Sequence, residues 1–148
     1  MHGADRASDV HQRLVRVAPW NIVFDGSSVV GILDWDSIGP SNRVWDLAYA
    51  AHQFVPFHPP EGLKAFGWDT EPDRAGRLRL FAEAYGGGVT PEEIVDLAAL
   101  RLLSIGAYIA GQVRAGDPSF AVHRDEDHAR GYRIAAEFVL ANREALLA

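Results

Sequence analysis

Two short apolar runs, Trp20 to Phe24 and Val29 to Leu33, flank the tripeptide Asp25-Gly26-Ser27. Asp-Gly between β-branched and aromatic residues is a strong short-range signal for a β-hairpin, because the tight turn needs a backbone conformation that glycine adopts without steric cost. Past that hairpin the apolar residues recur at intervals of three and four, so four to five helices follow. The fold class is therefore α+β, mostly α-helical, with one short β-hairpin. There is no internal repeat, no low-complexity tract and no second domain boundary. Residues 1–13 read as a flexible N-terminal segment unless they pair with something, and residues 14–148 as a single domain.

The helix limits follow from local chemistry. Gly39-Pro40 stops the second strand, and Ser41-Asn42 supplies a helix N-cap. Val44, Leu47, Ala48 and Ala51 give the segment from Arg43 to Phe54 a helical apolar face. Pro56, Pro59 and Pro60 end it, and a short helical piece falls around Leu63 to Phe66. Thr70 reads as the next N-cap with Pro72 in the first turn, followed by an apolar face of Leu78, Phe81, Ala82 and Tyr85. Gly86-Gly87-Gly88 ends that helix. Thr90-Pro91-Glu92-Glu93 is a capping box with proline at the first helical position. The helix it opens reaches about Arg114, with Ile94, Leu97, Leu100, Leu103 and Ala107 expected inward and Gly106 and Gly111 marking close helix packing. After the Gly116-Asp117-Pro118 turn, a last helix is expected from Asp125 to Leu147, with Tyr132, Ile134, Ala135, Phe138 and Val139 as its apolar residues.

Composition narrows the functional classes. With 48% hydrophobic and 23% charged residues the 148-residue chain is an ordinary globular sequence, long enough for one hydrophobic core. Its formal net charge of −6 argues against nucleic acid and anionic membrane as partners. The absence of cysteine excludes disulfides, thiolate nucleophiles and Cys-based zinc sites. The N-terminus lacks the apolar core of a signal peptide, and no apolar run is expected to match the length of a membrane span. A cytoplasmic location is the resulting expectation. No serine lies in a G-x-S-x-G elbow, so a serine hydrolase is not supported.

The stretch from Leu14 to Tyr49 carries the specific signals. Pro19 and Asn21 form a P-x-N. Asp34 sits in Leu33-Asp34-Trp35-Asp36, Gly39-Pro40 follows, and Asp46 sits in Trp45-Asp46-Leu47-Ala48. Taken alone, an Asn after Pro-Trp and an Asp at a strand end are most often local hydrogen-bonding groups. Together and in this order they resemble the aminoglycoside phosphotransferase and choline kinase group, which shares the protein-kinase-like fold. That family has a catalytic loop H-x-D-x-x-P-x-N, a hairpin, an Asp in an I-D-[FW]-[DE] context and a W/Y-D-L-A helix start. The resemblance implies the C-terminal lobe of a kinase-like fold and ATP-dependent phosphoryl transfer to a small-molecule hydroxyl, with ATP and Mg2+ as cofactors. Asn21 and Asp34 are the candidate magnesium ligands it implies, with Asp36 a weaker one. A hairpin brings Asn21 and Asp34 to the same end of the ribbon, and magnesium favours such hard oxygen donors. Asp46 reads as a structural anchor at a helix start, and Trp20, Trp35 and Trp45 as packing residues.

Two departures from the family stand out. Counting back from Asn21, the family's catalytic Asp falls on Arg16 and its His on Leu14. Arg16 carries no acceptor and stays protonated, so it cannot take a proton from an acceptor hydroxyl, and Leu14 has no hydrogen-bonding group. The His2-Gly3-Ala4-Asp5 stretch echoes the motif only superficially. Few residues precede Leu14, so a truncated chain without its nucleotide lobe and inactive alone is expected. Surface left bare around the hairpin is then expected to be covered by a second copy, in a homodimer using the hairpin edge. The alternative function is a non-catalytic module that binds a cationic small molecule or a protein. The acceptor is not readable from the sequence.

Six histidines complete the inventory. His123-Arg124-Asp125-Glu126-Asp127-His128 matches no zinc-helix spacing and reads as the charged, solvated start of the last helix. His52 and His58 flank the proline-rich loop, where loop and pocket-lining roles are both open. Glu83 and Glu93 read as surface residues.

Overall fold

The computed structural model describes residues 12–13, 17–33, 39–40 and 42–148. Strand β1 (Gln12–Arg13) pairs antiparallel with β4 (Gly39–Pro40). Between them lies the expected hairpin, β2 (Ile22–Asp25) and β3 (Ser28–Ile32), preceded by a 3-10 turn at Pro19–Asn21. Gly26 has φ 60 in the first central position of the two-residue turn, a left-handed conformation open to glycine. A register shift between Val23 and Phe24 bulges the ribbon.

Helix α1 (Arg43–Phe54) is where the sequence places it, and the Asn42 side chain accepts from the Val44 amide at 2.8 Å as its N-cap. A 3-10 segment, Pro60–Phe66, replaces the short helical piece. Helix α2 (Arg74–Tyr85) is capped by Asp73, not Thr70: the Asp73 carboxylate accepts from the Gly76 amide at 2.8 Å. The later start has a physical cause. Arg74 is buried and donates to the carbonyls of Pro56 and His58 at 2.8 and 2.6 Å, which fixes the chain just before the helix. Helix α3 (Pro91–Ala115) has the full capping box between Thr90 and Glu93.

The phase of α3 differs from expectation. Ile94, Val95, Ala98, Leu102, Ile105 and Ile109 face the core, while Leu100, Leu103 and Ala107 face outward. Small residues are what the interior needs here. A Cβ at Gly106 would stand 3.0 Å from the Ala129 carbonyl, so the glycine sets how closely the next helix approaches. Arg101, polar by type, is also turned inward, its guanidinium 5.1 Å from the Trp45 ring centroid. By length and composition α3 is apolar enough to cross a membrane, contrary to the expectation for the chain. Half of that stretch is buried within the protein, as in a core helix.

The single last helix expected over Asp125 to Leu147 is two, α5 (His128–Ala141) and α6 (Arg143–Leu146), and a short α4 (Ala121–Asp125) precedes them. Asp127, at φ 50, breaks the first junction. Within α5, Ala135, Ala136 and Val139 are buried, whereas Ile134 is exposed. The core is formed by α1, α3 and α5 with Phe57, Leu78 and Leu146. A second cluster of Ala18, Tyr49, Ile105 and Ile109 ties the entry to the hairpin onto α1 and α3. The hairpin itself is bare: Val30 is 61% exposed, and Phe24, Val29 and Leu33 are exposed with it.

Candidate functional site

Where the hairpin meets the helices there is a cavity of about 660 Å³. Asn21 and Trp20 form one wall, and Tyr49, His52 and Gln53 of α1 form the floor. His58, Pro59, Gly62 and Phe66 come from the loop after α1, and His123, Glu126, Asp127, His128, Gly131 and Tyr132 from α4 and α5. The floor follows from helix geometry, since positions 49, 52 and 53 lie on one face. It lies across α1 from the Val44, Leu47, Ala48 and Ala51 face and is buried too but carries polar groups, so the helix packs on the core with one side and floors a site with the other.

The imidazoles of His52 and His58 are buried, with ring centroids 4.3 Å apart, and His58 stacks on Phe66 at 3.7 Å. Burial pushes His58 down to about 4, and the nearby Arg74 guanidinium acts in the same direction. Burial, then His58, holds His52 well below the usual imidazole range, against a backbone hydrogen bond with Phe57 that raises it. Both rings are thus neutral at pH 7. His52 Nδ1 and His58 Nε2 are buried and have no hydrogen-bond partner among the described residues. Across the cavity, His123 Nδ1 and His128 Nδ1 lie 2.7 Å apart, and His128 Nε2 lies 2.8 Å from Glu126 Oε2. Two ring nitrogens at that distance share one proton, and the Glu126 carboxylate favours a proton on His128 Nε2.

Asn21 is buried in the cavity wall, and its carbonyl accepts from the Leu33 amide at 2.7 Å. That bond holds the end of β3 beside Asn21, the arrangement required for the two strands to present their ends together. Asp34 and Asp36 lie outside the described residues, as do Arg16, Leu14 and Trp35. Among the described residues no three His, Asp or Glu side chains form a group able to hold a metal ion. Asn21 contributes an amide side chain, and the two aspartates that follow Leu33 in sequence would add carboxylates. Amide and carboxylate oxygens are the hard donors that magnesium takes. Asp46 lies in the first turn of α1, consistent with its reading as an anchor. Trp20 departs from its expected packing role: it is 65% exposed at the cavity mouth.

The phosphotransferase enzyme family matches the chain over residues 17–88. Residues 17–88 are phosphotransferase-family sequence. The match runs from the residue after Arg16 through the hairpin, α1 and α2, and so includes Asn21, Asp34, Asp36 and the cavity residues up to Phe66. The phosphotransferase resemblance of the P-x-N, the L-D-W-D and the W-D-L-A is thereby shown at the family level. No curated protein and no solved structure matches the chain significantly.

The α4–α5 wall lies beyond the matched stretch. Its histidines, expected at a solvated helix start, line the cavity instead. The missed signal was the i, i+3, i+4 spacing of Tyr49, His52 and Gln53, a polar stripe on the side of α1 away from its Val44, Leu47, Ala48 and Ala51 face. Of the two roles left open for His52 and His58, the cavity wall is where they stand.

Proposed function

We propose that this phosphotransferase-family chain holds a small cationic molecule in the cavity beside Asn21 and does not itself transfer phosphate. The observation that carries the reading is the cavity. It joins the family's P-x-N residue to aromatic faces of Trp20, Tyr49, Phe66 and Tyr132 and to the carboxylates of Glu126 and Asp127. Aromatic rings attract an ammonium group through their negative faces, and a carboxylate neutralises it. His52 Nδ1 and His58 Nε2, unpartnered among the described residues, add polar atoms beside the same space.

Phosphate transfer requires a base at the acceptor hydroxyl, and the family's base position is Arg16. A guanidinium at that position attracts phosphate but accepts no proton. Asn21 and Asp34, with Asp36 more weakly, would hold magnesium, which when bound neutralises the charge on nucleotide phosphates. Calorimetry with Mg2+ and ATP, wild type against Asp34→Ala, tests the magnesium part: saturable heat lost in the variant supports it. Absence of heat at millimolar nucleotide removes it. Incubation with Mg2+, ATP and choline or glucosamine tests the catalytic part, with no ADP above a protein-free control expected. Protein-dependent ADP formation overturns it.

A further inference from the structure

Much of the outward face of α3 is left uncovered by the described residues, and at its edge Asp96 accepts from Arg143 of α6 at 2.7 Å. Leu100 and Leu103 are 56% and 42% exposed, and Ser104, Ala107 and Arg114 beside them are exposed too. At 3.6 residues per turn, Glu93, Leu100, Leu103, Ser104, Ala107 and Arg114 fall in a stripe about 100° wide. The stripe is acidic at its N-terminal end and basic at its C-terminal end, with large residues in its N-terminal half (Leu100, Leu103) and small ones in its C-terminal half (Ser104, Ala107, Gly111). We propose that two copies of the chain form a two-fold dimer with their α3 helices antiparallel along this stripe, centred between Leu103 and Ser104.

The self-complementarity of the pattern selects a second copy as the occupant. In that register Glu93 meets Arg114 of the other copy at both ends, Leu100 meets Ala107, and Leu103 meets Ser104. Opposite charges face each other twice, and each leucine meets a small residue, which lets the two helices approach closely. A two-fold interface requires a patch that complements itself under reversal, and this one does. The Ser104 hydroxyl donates to the Leu100 carbonyl at 2.8 Å, so it meets an apolar neighbour with its proton already bonded. Alongside the stripe a groove between α3 and α5 carries Arg130 and Arg133 with Asp127, a mixed-charge rim for such an interface. The hairpin edge fits a second copy less well, because the bulge at Val23 and Phe24 twists the ribbon away from flat edge pairing. A lipid surface fits less well too, because the opposite face of α3 is already packed in the core.

Sedimentation equilibrium of the full chain tests the proposal, with a species of twice 16.2 kDa expected at micromolar concentration. Leu103→Glu places two unpaired carboxylates at the centre and is expected to raise the dissociation constant at least about 100-fold. Leu103 is on the surface, so circular dichroism of the variant should match wild type. The chain has no cysteine, so introduced thiols report the register without background. Under mild oxidation Leu103→Cys is expected to crosslink with itself. Leu100→Cys and Ala107→Cys are expected to crosslink only when mixed. A monomer at all concentrations overturns the proposal, whether or not it binds anionic vesicles. So does a dimer that survives Leu103→Glu, or self-crosslinking of Leu100→Cys in preference to the mixed pair.

Discussion

Acidification should destabilise this fold well above the pH at which carboxylates titrate, and His58 sets the size of the effect. Burial holds its folded-state pKa down at about 4, against 6.5 for a free imidazole. Above 6.5 the ring is neutral in both folded and unfolded chains, and the full stability is present. Below 6.5 the unfolded chain takes up a proton that the folded chain refuses, so stability is lost as pH falls from 6.5 towards 4 and levels off below that. Linkage arithmetic over that window gives a loss of about 2 kcal/mol between pH 7 and pH 5 from His58 alone. His52, held well below its ordinary value, acts with the same sign. Asp96, lowered by its hydrogen bonds to Arg143, loses its contribution only as pH falls below 3.8, outside this window. Urea denaturation at pH 7 and pH 5 measures the loss, with His58→Phe as the control because phenylalanine keeps the stack on Phe66 and removes the titration. Wild type should lose at least about 2 kcal/mol more than the variant between the two pH values. Equal losses in wild type and variant would refute the assignment of a buried neutral His58.

Further perturbations read the scaffold. Arg74→Ala leaves the Pro56 and His58 carbonyls without their donor and removes the guanidinium from the Phe138 ring, and should cost about 3 kcal/mol in urea denaturation. Thr90→Ala breaks the capping box of α3 and should cost about 1 kcal/mol, seen as a Tm lowered by a few degrees. Gly106→Ala pushes a methyl against the Ala129 carbonyl and should destabilise by about 1 to 3 kcal/mol despite the better helix propensity of alanine; a rise in Tm would contradict the close α3–α5 approach.

The parts of the fold legible in sequence are those fixed by short-range chemistry. Gly26 in the turn, Asn42 at the start of α1 and Thr90 with Glu93 at the start of α3 each act within four residues, and each is where the sequence puts it. The inward face of α3 was not legible, because tertiary packing decided it. Gly106 and the alanines let the neighbouring helices come close, and Arg101 finds an aromatic partner in Trp45, so the leucines turn outward. The single last helix failed at Asp127, whose left-handed backbone no propensity for helix would suggest. For the site, Asn21 of the P-x-N lines the cavity, while the aspartate that follows the hairpin lies outside the described residues. The opposite wall was hidden, since His123, Glu126 and His128 lie more than a hundred residues further along and read as solvated charge until the chain folds back.

Binding of a small cation in the cavity between the hairpin, α1 and α5 can be tested at Gly131. Gly131 lines that cavity, and a Cβ built there meets nothing within 4 Å, so Gly131→Leu should fill the space without disturbing α5. The decisive measurement is a two-dimensional amide NMR titration of wild type and Gly131→Leu with choline and with glucosamine. Saturable shifts at Tyr49, Gln53 and Tyr132 in wild type, absent in the variant, are the predicted result. No shifts at these residues at roughly ten millimolar ligand, weaker than the ordinary range for a specific small-molecule site, would contradict the account.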